Sequence, residues 1–315
     1  MSSSLARVVL SFLTLTLLGI VPTEAILVNT PLEALPRMQQ SFTDGVALAT
    51  FASFVVDSCD DVYLRYFPAS DVDFVRRIFR RVANLPVDAV LTMNQLPTVL
   101  QQRATIGVDP RLFNLMISYG NYPGIREQVC GIPNDDTNAA FTSADGGGPL
   151  ITMCASAFEM YPDEDEIMNP PFWALNAQGN LLPGYGCDGL GDHDSDLMWF
   201  PGAVLMHEIM HFSDLFDDLP NWFAWTYPSN GVNGIGDYDG TSPREGYGPF
   251  YSRVLNLLSS LEPQKYRPHE AINNADSYAS YALSVWWRWK CQREFGPSVT
   301  KADSYNRETP PRPSP

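Results

Sequence analysis

Two of the chain's four histidines stand four positions apart in AVLMHEIMHFSDLF, residues 203–216, with Glu208 directly after the first. At about 100° per residue, a helix places His207 and His211 roughly 40° apart on one face, close enough to meet a single ion. Leu205, Ile209, Phe212 and Phe216 form an apolar stripe on the other side, so the helix is expected to have its back in a core. Pro201 suits a first helical turn and is the expected start, although Asp194 or Ser195 could cap an earlier one. Such a helix constrains the fold from both sides: its apolar face must be covered and its imidazoles must be answered.

Two neutral imidazoles at this spacing can both ligate Zn²⁺, with the intervening glutamate placed to polarise a bound water. This is the His-Glu-X-X-His pattern of zinc proteases. The competing reading is a pair of core histidines satisfied by carbonyls, with Glu208 on a solvated edge. The extended signature that adds a glycine turn and a third histidine is absent, because HFSDLFDD has neither in place. A further ligand must therefore come from elsewhere. His193 lies upstream, and His269 and Glu270 lie in RPHEAI. The stretch GIGDYDGTSPREGYGPF offers Asp237 and Asp239, followed by Tyr247-Gly248. In AINNADSYASYAL, Asp276 shares a helical face with Ile272, Ala279 and Leu283. A carboxylate on an apolar stripe needs a strong partner such as a metal or a ligand histidine. Asp214, one turn beyond His211, is read as solvated or as a partner to a ligand.

The chain carries a formal net charge of −16 and only three lysines, Lys265, Lys290 and Lys301. That charge argues against nucleic acid and anionic lipid as partners. MSSSLARVVLSFLTLTLLGIVPTEA begins with a short stretch bearing Arg7, runs apolar from Val8 to Val21, breaks at Pro22 and reaches the small Ala25. It reads as a secretory signal peptide, residues 1–25, followed by a secreted, soluble, extracellular chain with no later membrane-spanning segment. Export permits disulfides. None of the five cysteines pairs at zinc-finger spacing; Cys130 and Cys154 flank one loop and are the expected disulfide, and the odd count leaves at least one thiol free or intermolecular. No Asn-X-Ser/Thr sequon is present.

Residues 26–125 read as a mainly helical N-terminal region. In SDVDFVRRIFRRVANL, Val72, Val75, Ile78, Phe79 and Val82 recur at helical intervals, while the arginines fall mostly off that stripe and are expected to pair with nearby Asp. PRLFNLMISYG reads as another short helix ended by Gly120. NDDTNAAFTSADGGGP is turn-rich, and LITMCASAF is a short buried run rich in β-formers, so a small sheet is expected beside the histidine helix. YPDEDEIMNPPFWALNAQGNLLPGYGCDGLGDHDSD is long for a structureless connection, and such loops are usually functional or pinned. The proline-rich tail, residues 301–315, is expected to be disordered. The fold class expected is α+β, predominantly α-helical.

MHEIMHF, an Asp…Tyr-Gly element and NNADSYASYAL together resemble the deuterolysin group of fungal secreted metalloendopeptidases, the aspzincins; LITMCASAF ahead of the long loop is similar too. The resemblance covers about residues 130–290 and is sharpest at the three short motifs. It implies a zincin-like metallopeptidase domain over residues 126–300; whether part of residues 26–125 is a removable propeptide is left open by the sequence. It also implies a zinc endopeptidase acting on protein or peptide substrates. His207, His211 and an aspartate would hold Zn²⁺, with Glu208 as general base and Tyr247 as hydrogen-bond donor to the transition state. The family pattern places that aspartate three positions before the tyrosine, where this chain has Arg244. An insertion, DGTSPREG, between Asp237-Tyr238 and Tyr247-Gly248 restores the pattern with Asp237 as ligand and Asp239 as its substitute. Asp276 would orient a histidine. The altered spacing also suggests an alternative: a secreted zinc-binding or surface interaction protein without turnover.

Overall fold

The computed structural model describes residues 26–123, 129–131, 139–143, 149–229, 232–243 and 245–304. The expected signal peptide and residues 305–315 of the tail lie outside that set. Lys301–Ser304, expected to belong to a disordered tail, instead forms a 3₁₀ turn, with Asp303 accepting the backbone N–H groups of Val299 and Thr300.

The architecture is α+β and predominantly helical. Helix α1, Leu35–Val55, starts with a proline in its first turn and buries Met38, Phe42, Val46 and Ala49 along one side. After a short helix α2, Asp61–Tyr66, capped by the Asp60 carboxylate, α3 spans Val72–Val82 and buries Phe74, Val75, Ile78, Phe79 and Val82. Three of its arginines meet acids as expected, Arg76 with Asp73, Arg77 with Asp88, Arg81 with Asp109 and Asp218, whereas Arg80 is buried and donates to the Val87 carbonyl.

Four short strands form one mixed sheet in the order β1-β2-β4-β3. Strands β1 (Ile26–Val28), β2 (Met116–Tyr119) and β4 (Leu150–Met153) run parallel, and β3 (Ala140–Ser143) closes the edge antiparallel to β4. One expectation is met, since a small sheet lies beside the histidine helix, and one is corrected. PRLFNLMISYG is not one helix: a 3₁₀ turn at Pro110–Asn114 gives way to β2, with Gly120 at φ 71° after it. A short apolar run has no decisive period, and here pairing with β1 and β4 selects the extended form. The stretch expected to be turn-rich contains β3, stabilised by its ladder to β4. Helix Ala155–Met160 follows β4 directly.

The histidine helix α4, Pro201–Met210, begins at the expected proline, and all ten of its residues are buried. Helix α1 packs along it so closely that a Cβ on Gly45 would lie 2.6 Å from the Gly202 carbonyl oxygen. A hairpin, β5 (Tyr227–Ser229) and β6 (Val232–Gly234), then α5 (Gly248–Leu261) and α6 (Ala275–Cys291) follow, and of these α6 packs against α4. One apolar cluster runs through Phe42, Phe79, Ile151, Leu205, Ile209 and Tyr281. The N-terminal helices and the histidine helix therefore share a core.

The long segment from Tyr161 to α4, which holds short helices at Glu164–Met168 and Gly186–Gly189, is pinned. Arg37 holds Asp163, Lys290 holds Glu164, and Cys187 is disulfide-bonded to Cys291 at the end of α6. Cys130 and Cys154 form the disulfide expected from the sequence, and Cys59 is exposed with a free thiol. Among the described residues, no helix is long and apolar enough to cross a membrane.

Candidate metal centre

The carboxyl end of α4 carries His207 and leads into His211, the residue that terminates the helix. Both rings turn toward the loop that follows β6. His211 Nδ1 lies 2.9 Å from the Ile235 carbonyl oxygen, to which it donates, leaving Nε2 as the ring's lone-pair atom. His207 Nδ1 faces Asp276 Oδ2 at 3.4 Å, so its Nε2 is likewise directed away from α6.

The two Nε2 atoms approach to 3.3 Å. Asp237 reaches both of them, with Oδ1 3.3 Å from His207 Nε2 and Oδ2 3.4 Å from His211 Nε2. Among the described residues, His207, His211 and Asp237 are the one group of His, Cys, Asp or Glu whose ligand atoms gather tightly enough to hold a metal ion. Asp237 Oδ1 is buried and has no hydrogen-bond partner.

Two imidazole lone pairs and a carboxylate pointing at one spot repel unless positive charge lies between them. Protons can supply it. Burial works against a charged His207, but Asp237 and Asp276 outweigh burial and push it up to about 10. His211 is raised by Asp237 against the same opposition from burial. Burial works against an ionised Asp237 too, yet the two imidazoles hold it well below the usual carboxylate range. A divalent ion can supply the same charge. A tetrahedral site with bonds of about 2.0–2.1 Å has ligand atoms roughly 3.3 Å apart, which matches the separations here. The donor set of two nitrogens and a carboxylate suits zinc.

Asp276, in the first turn of α6 and buried, backs His207 from behind. Burial raises its carboxyl to about 6, with His207 acting the other way. Its Oδ1 accepts the backbone N–H of Gly248 at 3.0 Å. Gly248 opens α5 with φ 72°, which a side chain would strain, and it follows Tyr247 immediately.

Tyr247 donates its hydroxyl to Asp237 Oδ2 at 2.9 Å, and its ring stacks 6.3 Å from that of His207. It is 43% exposed, so it stands at the mouth of the centre. Burial and the neighbouring Asp237 carboxylate raise the phenol above its ordinary range. The extra residues between Asp237 and Tyr247 do not separate them. Gly246 donates to the Tyr238 carbonyl at 2.8 Å, and Asn274 takes Tyr238 N–H on Oδ1 while giving Nδ2–H to the Gly246 carbonyl. The insertion is pinched at its base.

Glu208, buried beside His207, receives a hydrogen bond on Oε2 from Thr142 Oγ1 at 2.7 Å. Thr142 carries no signal in the sequence that sets it apart from its turn-rich surroundings; only strand pairing brings it here. The remaining candidates lie elsewhere. Asp239 and Asp214 are exposed. His269 stacks on Trp225 and binds Asp71, Glu270 accepts from Arg267 N–H, and His193 pairs through backbone with Gly296.

No family model, no curated protein and no solved structure matches this chain.

Proposed function

We propose that the chain is a secreted zinc-dependent endopeptidase of the deuterolysin-like kind, with a zincin-like arrangement around α4. The observation that carries this reading is the convergence of His207 Nε2, His211 Nε2 and an otherwise unpartnered Asp237 carboxylate oxygen beside Glu208. Two disulfides are compatible with an extracellular setting.

His207, His211 and Asp237 would hold zinc, which supplies a Lewis acid able to acidify water to near neutrality. Glu208 takes the proton from the attacking water and returns it to the leaving amine. Tyr247, at the open side, gives a hydrogen bond to the oxyanion that develops on the scissile carbonyl. Asp276 keeps His207 in the tautomer that presents Nε2. The pinched insertion speaks for turnover over a silent zinc site, because it leaves the phenol beside Asp237.

Cleavage of casein by the purified protein, abolished by a chelator and restored by zinc, is the expected result. Glu208→Gln should keep zinc and lose hydrolysis by about 10²- to 10⁴-fold. Stoichiometric zinc with no cleavage at any pH would instead identify a metal-binding protein without turnover.

A further inference from the structure

Strand β3 lies at the edge of the sheet and against the histidine helix, and its pairing register decides which of its side chains meets that helix. Thr142 stands opposite Ile151, and Phe141 opposite Thr152. Paired residues in an antiparallel ladder project from the same face. Ile151 belongs to the apolar cluster that includes Leu205 and Ile209, and Ile117, opposite Ile151 on β2, belongs to it too. Thr152 is on the reverse face, where its hydroxyl meets Ser118. The register thus sends Thr142 toward α4 and Phe141 away from it.

At that position an aliphatic residue would continue the apolar surface. The chain has a hydroxyl instead, and both acceptors within its reach belong to one residue. Thr142 Oγ1 donates to Glu208 Oε2 at 2.7 Å and lies 3.1 Å from the Glu208 carbonyl oxygen. The carbonyl contact ties the strand to the last turn of the helix. The carboxylate contact fixes the rotation of the glutamate head group.

We infer that Thr142 is a positioning residue for Glu208. By holding one carboxylate oxygen against the sheet, it leaves the other clear of that contact and restricts the rotamers open to the head group. An O–H donor to a carboxylate at this distance is among the stronger hydrogen bonds a protein makes. A glutamate that must accept a proton from one position and deliver it to another gains from a fixed pivot, since misplacement of a reacting group by about 1 Å can cost on the order of 100-fold in rate. This role rests on reading the centre as a peptidase site.

Thr142→Val tests it, because valine keeps the branched shape that the strand favours and deletes only the donor. The expected result is a fall in kcat of about 10- to 100-fold, with KM, zinc stoichiometry and thermal midpoint close to those of the wild type. Thr142→Ser should restore most of the lost rate. A crystal structure of zinc-loaded Thr142→Val should show the Glu208 carboxylate rotated from its place, with His207, His211 and Asp237 unmoved. Unchanged kcat in the valine variant overturns the role. So does loss of zinc, a parallel fall in stability, or a Glu208 carboxylate that stays in place without the hydroxyl. If valine prevents folding, Thr142→Ala is read by the same measures. A wild-type protein with no chelator-sensitive hydrolysis is a separate failure: it refutes the peptidase reading before any substitution is made.

Discussion

Asp276 joins Gly248 to the histidine pair: one carboxylate oxygen accepts the Gly248 N–H at 3.0 Å, and the other stands 3.4 Å from His207 Nδ1. A single side chain thereby fixes a candidate ligand and the backbone adjoining Tyr247. Asp276→Asn keeps the size and loses the charge. Partners of this kind typically matter by about 10- to 100-fold in metal affinity, and zinc affinity measured by competition with a chromophoric chelator should weaken by that much. An asparagine variant that binds zinc as tightly as the wild type would mean that Asp276 serves only the Gly248 amide.

Tyr247 gives its hydroxyl to Asp237, so Tyr247→Phe removes one donor and leaves the ring stacked on His207. Zinc content should stay at one per chain, because the phenol is not among the converging ligand atoms. Removing a donor to a developing oxyanion costs about 10²- to 10³-fold in kcat, and a loss of that order is expected with little change in KM. A phenylalanine variant with full kcat would assign Tyr247 to bracing Asp237.

Gly45 and Gly202 let α1 and α4 touch through their backbones. Alanine at Gly45 would put its Cβ 2.6 Å from a carbonyl oxygen that belongs to the first turn of the histidine helix. Backbone cannot turn aside as a flexible side chain can, so Gly45→Ala should destabilise by about 1–3 kcal/mol, read as a lower urea midpoint at unchanged slope. An unchanged midpoint would show that the helices separate at negligible cost.

Asp44, next to Gly45 on α1, is expected to give the protein a pH-dependent weakness. Burial pushes its carboxyl up to about 7 against a hydrogen bond from Gln40, with Glu164 and Asp163 adding repulsion and Lys290 attraction. A carboxyl that holds its proton more tightly in the folded state than in the unfolded one lowers stability as pH rises. The loss begins near the unfolded value of about 4 and is complete above the folded one. Asp44→Asn cannot ionise. It should match the wild type near pH 4 and exceed it by about 1–2 kcal/mol at pH 8, allowing for solvent screening of a partly exposed group. Parallel stability profiles across that range would refute the assignment.

How much of this could be read from the sequence depended on whether the signal was local. The helix around His207 and His211 announced itself through spacing and through Pro201, and the residues that gather with the histidines include the aspartate singled out beforehand. Cys130 and Cys154 flank one loop, and they pair. What failed needed distant partners. Met116–Tyr119 became a strand because β1 and β4 lie on either side of it, which is not written in those residues; the nearer pairing of Ala140–Ser143 with β4 falls where a small sheet was expected. The bond between Cys187 and Cys291 and the hydrogen bond from Thr142 to Glu208 are of the same kind, contacts between segments far apart along the chain. The position of Tyr247 depended on how the insertion closes, which Asn274 determines from another element.

The converging donors all come from a short span of chain, His207 to Asp237, whereas Cys187 and Cys291 span a sequence separation of 104. The entropy of closing a loop grows with its length, so the covalent link restricts the unfolded chain more than any ion at the centre would. Reducing conditions would therefore release the tether that most narrows the unfolded ensemble, which ties this chain to oxidising surroundings.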